Sequence, residues 1–81
     1  MIELLWHNGT TTSGTTWKMV ERKIRTSQPR PFGSLKEFRL EMSARAKAWS
    51  GTIVSSSGSP EEFIKSLAAA GLFLLVNGDE K

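Results

Sequence analysis

Few residues in this chain have types that could do chemistry, and their spacing decides against most of it. His7 is the only histidine, so a catalytic triad or an imidazole metal site would rest on it alone. It stands beside Asn8-Gly9, a turn signal, where its ring is expected to face water. There is no cysteine, which removes thiolate metal ligands and disulfide staples together. Glu61 and Glu62 are adjacent carboxylates, but they follow Ser59-Pro60. That order is a serine cap, a proline at the first helical position and two acids in the first turn, where the helix dipole favours negative charge. Gly9, Gly14 and Gly33 are not followed by lysine and serine or threonine at phosphate-loop spacing. The sequence therefore predicts no catalytic residue, no metal site, no cofactor and no small-molecule substrate. A non-enzymatic chain is expected.

Binding is better represented. Lys18, Arg22 and Arg25 fall at i, i+4 and i+7, opposite the apolar stripe Trp17, Val20 and Ile24, and Lys23 and Arg30 extend the charge. Such a ridge on a rigid helix is a candidate contact for phosphates or for an acidic partner. The competing account is a solvated helix face, with Glu21 and Arg25 spaced for an i,i+4 pair. Of the three tryptophans, Trp17 and Trp49 lie on the buried stripes of their helices, where packing is the default role. Trp6 precedes the turn on the same strand face as Leu4, and is either core or an exposed anchor for a partner.

These side chains need elements to hold them. Ile2 to His7 is short and apolar, and Asn8-Gly9 suits a two-residue type I′ turn with Thr10 to Thr12 as the return strand. Ser13 or Thr15 can cap a helix over 15–26, closed by the Pro-containing run Ser27 to Pro31. Ser34-Leu35-Lys36-Glu37 is a capping box for a second helix, with Phe32 placed to close over its first turn. Leu35, Phe38, Met42, Ala46 and Trp49 form its seam, with Arg39 and Arg45 laying their stems alongside. Gly51 suits a left-handed cap. Thr52-Ile53-Val54 reads as a short strand, Ser59 caps a third helix burying Phe63, Ile64, Leu67 and Ala70, and Leu72 to Val76 reads as a strand buried on both faces. Strands 52–54 and 72–76 are expected to run parallel across a right-handed crossover. The fold class is thus α+β, with three helices on a small mixed sheet in the order β-β-α-α-β-α-β. A winged helix is disfavoured, because a strand separates the second and third helices and the third opens with two glutamates.

With 81 residues the chain has room for one domain, residues 1–81, with 77–81 expected as a frayed tail. The net charge of +3 is uneven: residues 18–47 carry +6, against −1 before them and −2 after. A basic middle points to an anionic partner. The start carries Glu3 and lacks a basic region, so no secretory leader is expected. The apolar run Leu67 to Val76, broken by Gly71, is about half the ~20 residues a membrane-spanning helix needs. A cytoplasmic chain without membrane contact is expected.

The runs Pro31-Phe32-Gly33-Ser34-Leu35-Lys36-Glu37-Phe38-Arg39, Ala46-Lys47-Ala48-Trp49-Ser50-Gly51 and Ser59-Pro60-Glu61-Glu62-Phe63, with the opening Leu4 to Thr10, resemble small uncharacterised accessory proteins of bacteriophages and prophages. The resemblance implies expression in a bacterial host and work done by binding. It assigns no site residue. The leading expectation is a module for protein–protein contact, including self-association, and the alternative is a nucleic-acid binder using Lys18, Arg22, Lys23, Arg25 and Arg30.

Overall fold

Polar caps start all three helices. The computed structural model describes residues 1–27 and 34–79. In it Thr16, Ser34 and Ser59 each have extended backbone and accept a hydrogen bond from the amide three residues on. They open α1 (Trp17–Thr26), α2 (Leu35–Ser50) and α3 (Pro60–Ala69). At α3 the box is complete, with the Ser59 amide returning a bond to Glu62. The cap of α1 is Thr16, one residue beyond Thr15. Trp17 is thereby the first helical residue, and it enters the core at once. Gly51 closes α2 at φ 75°, the left-handed conformation that glycine adopts without a Cβ penalty.

The strands are β1 (Ile2–Trp6), β2 (Thr11–Gly14) and β3 (Phe73–Gly78), ordered β2-β1-β3, and both pairings are antiparallel. The α+β class, the three helices and the opening hairpin stand as the sequence predicts. The hairpin turn differs in type. His7, Asn8 and Gly9 form a three-residue loop in which Trp6 donates to the Thr10 carbonyl and Gly9 donates to that of Trp6. Only Gly9 takes a positive φ (90°), whereas a type I′ turn needs two. Asn8 Oδ1 stabilises the loop instead, accepting from the amide and the hydroxyl of Thr10.

One strand is missing. Residues 52–54 are unpaired, so the sheet is antiparallel throughout and the expected parallel crossover does not form. Val54 is buried while Ile53 is 84% exposed, and Thr52 Oγ1 accepts from Ser50 Oγ at 2.9 Å, so this stretch is held by side chains and not by a ladder. The carbonyls that follow are taken by Arg39, whose Nη1 donates to Ser56 and Gly58. The tail also differs: Asn77 and Gly78 pair with Glu3 and Ile2. The connector from Gln28 to Gly33, with Arg30 and Phe32, lies outside the described residues.

One face of the sheet carries Ile2, Leu4 and Phe73 into a core with Val20 and Ile24 of α1, Phe38 and Met42 of α2, and Phe63, Ile64 and Leu67 of α3. Phe38 and Phe63 meet edge to face at 6.1 Å. The seam of α2 is shorter than its periodicity suggests. Leu35 and Trp49, its two ends, are exposed, because α2 overruns the core at both termini. Arg39 does not snorkel either. It is buried, giving Nε to Glu21 Oε2 at 2.8 Å and Nη2 to Oε1 at 3.2 Å, with its guanidinium 5.0 Å from the Phe63 ring centroid. One side chain thus ties α1, α2, the 56–58 loop and α3. Removing one partner of such a pair leaves the other charge buried and uncompensated.

Candidate functional site

The alternation of backbone hydrogen bonds fixes which groups of the sheet are left over. Trp6 gives its N–H to the Thr10 carbonyl and accepts the Gly9 amide on its own carbonyl, both on the hairpin side, so in an antiparallel ladder Leu5 must face β3, where it pairs with Leu74. Phe73 and Leu75, on either side of Leu74, therefore turn their N–H and C=O groups away from β1. No backbone or side-chain bond meets them among the described residues. Among the described residues the outer edge of β3 is open.

Its side chains match. Leu74 and Val76, 61% and 53% exposed, stand on the sheet face opposite the core, with half-buried Leu5 beside Leu74. The run Leu72 to Val76 is thus buried on one face only, not both, because β3 closes the sheet at its edge. No residue from Gly71 to Gly78 is charged. Exposed β-branched and leucine side chains on an uncharged edge are the features natural sheets ordinarily avoid.

The hairpin tip and the entry to β3 are joined by a second apolar feature. His7 Nε2 lies 2.8 Å from the Gly71 carbonyl, its ring centroid 5.2 Å from that of Trp49, and Trp49 lies over Gly71. Gly71 has φ 91°, and a Cβ there would come within 3.3 Å of the Trp49 indole nitrogen. His7 is exposed as expected, yet its ring is engaged. Trp49, 62% exposed, is the large exposed aromatic of the described chain. Trp6 is not: it is partly buried, its indole donating to Thr12 Oγ1 at 2.9 Å and its ring meeting Phe73 at 4.9 Å. Trp49 is the exposed aromatic that sequence reasoning assigns to the core, and the signal is its place at the very end of α2.

The basic ridge is divided. Lys18 and Arg22 are exposed, but Lys23 Nζ donates to the Ser13 carbonyl. Arg25 is half-buried, and its Nε, screened from solvent, has no hydrogen-bond partner among the described residues. Glu21, expected to pair with Arg25, is spent on Arg39. Glu61 forms a surface pair with Lys65 at 2.6 Å.

An open cleft of about 610 Å³ lies between the hairpin end and the helices, lined by Trp6, His7, Thr10, Thr12, Ser27 and Arg45 among others. It gathers hydroxyls, one imidazole and one guanidinium, with no carboxylate among the described lining residues. Among the described residues no three histidine or carboxylate side chains converge to hold a metal ion, and no helix is long and apolar enough to cross a membrane. No protein-family model matches the chain, and no curated protein or solved structure matches it either.

Proposed function

We propose that this chain is a non-enzymatic protein-binding module that takes an extended segment of its partner as an added strand along β3. The observation that supports the reading is the open, uncharged edge at Phe73 and Leu75, flanked by exposed Leu74 and Val76. Strand addition draws affinity from main-chain hydrogen bonds and specificity from alternate side chains, and β3 offers both. Trp49, at the entry to the strand, supplies an aromatic anchor of the type that dominates binding energy. The reading extends to a bacterial cytoplasm, which the resemblance to phage accessory proteins and the absence of cysteine both suit. The test is retention of a host protein on the immobilised chain, compared with the double variant Leu74→Lys/Val76→Lys. A partner held by the wild type and lost by the variant is expected. A partner held equally by both overturns the reading.

A nucleic-acid reading stands second, on Lys18 and Arg22, exposed one turn apart on α1. It expects a gel shift at ~50 mM salt that fades by ~200 mM and is abolished by charge reversal of Arg22 and Arg25.

A further inference from the structure

We infer that the segment received by β3 is β3 of a second copy of this chain, paired antiparallel about a twofold axis through Leu74. The inference rests on the strand-addition reading above and names its partner.

The register follows from the leftover groups. Phe73 and Leu75 face outward and are equidistant from Leu74. A twofold axis at Leu74 sets Phe73 of each copy opposite Leu75 of the other. Each such pair exchanges two N–H···O bonds, so the outward donors and acceptors of both residues are satisfied in both copies. Leu74 then lies opposite its own mate as a pair without hydrogen bonds, the closer of the two antiparallel spacings, with side chains in contact on the exposed face. The half-buried Leu5 beside each Leu74 and the exposed Val76 extend this contact into one apolar strip across a continuous six-stranded sheet. An interface built from one patch meeting itself is the commonest symmetric assembly.

Charge permits it. Two copies each carrying +3 repel in general. The cations Lys18, Arg22 and Lys23 lie on α1, which packs beside β2 and caps that edge through Lys23. Lys23 is thereby held at the strand farthest from β3, while Gly71 to Gly78 contributes no charge to be set against its mate. An acidic or basic foreign peptide would find no complement along this edge. An identical neutral one finds its own.

Two measurements test this. In sedimentation or light scattering the wild type is expected at twice the protomer mass at micromolar concentration. Leu74→Lys and Leu74→Glu, each folded by circular dichroism, are expected as monomers, because like charges meet at the axis. Mixed together, the two are expected to regain the doubled mass. Independently, Leu74→Cys introduces the chain's only thiol at a spacing of about 4.5 Å between Cα atoms, so it is expected to crosslink on mild oxidation, and Ile53→Cys is not. A monomeric wild type, or a dimer indifferent to both charge variants, overturns the inference. So does a dimer that crosslinks more readily in the Ile53→Cys variant than in Leu74→Cys. A monomeric wild type that still retains a host protein, lost in the Leu74→Lys/Val76→Lys variant, sinks the self-pairing alone. A dimer indifferent to both charge variants sinks the self-pairing, and the use of this edge falls with it where a host protein is also held equally by the wild type and the Leu74→Lys/Val76→Lys variant.

Discussion

The two edges of the sheet are opposite solutions to one problem. An edge strand presents unpaired amides and carbonyls, and natural proteins cover or charge it. At β2 the chain does both. α1 packs so closely that a Cβ on Gly14 would lie 3.1 Å from Val20 Cγ2, and Lys23 places an ammonium on the Ser13 carbonyl. At β3 it does neither, although α3 leads directly into the strand and a lysine there would be simple to accommodate. The difference teaches that the open edge is not a general property of a thin three-stranded sheet. The same chain guards one side with a helix and leaves the other bare and leucine-lined.

The contrast can be broken from the guarded side first. Arg39→Ala strands Glu21 in the core and unties α1 from α2 and α3. A loss of about 3–5 kcal/mol is expected in chemical denaturation, with faster amide exchange across Thr11 to Ser13 as the guard loosens. Gly14→Val drives methyls into Val20 and Met19 and pushes α1 off β2, at about 1–3 kcal/mol by the same measurement. Lys23→Met keeps the stem but removes the donor to Ser13. The expected cost is about 0.5–1.5 kcal/mol, and its more telling readout is aggregation through the newly bare β2 edge. The smallest effect on protomer stability belongs to Leu74→Lys on the open side, within about 0.5 kcal/mol when measured at a dilution where copies do not pair, because in the single chain the side chain faces solvent. At concentrations where copies pair, the wild type alone gains stability, so a gap between the two that widens with concentration is expected.

What is legible in the sequence is local. Ser34, Ser59, Pro60 and Gly51 act within a few residues of themselves, so each helix boundary they set can be read directly. The positions that mislead depend on distant partners. Thr52-Ile53-Val54 has the composition of a strand, but pairing requires a free ladder beside it, and Arg39 claims the carbonyls of the loop that follows. Glu21 and Arg39 lie 18 residues apart on different helices, so helical spacing points to the nearer Arg25 instead. Trp49 follows the period of its seam faithfully, and the helix simply outlasts the core. The same limit applies to the site. Leu72 to Val76 announces burial, and only strand order turns half of it outward. Of the proposed contact residues, Lys18 and Arg22 stand exposed on the surface, Lys23 is exposed but gives its ammonium to Ser13, Arg25 is half-buried, and Trp6 is partly buried where Trp49 is exposed.

The central strand of this sheet is the first of the six elements among the described residues, and one of its two neighbours is the last of them. A ribosome therefore delivers β1 and β2 as a hairpin whose far side stays unsatisfied until every helix has emerged and Phe73 to Gly78 follows. For that interval the nascent hairpin is itself a template for a foreign strand, and the eventual arrival of β3 moves the vacancy outward by one position without abolishing it.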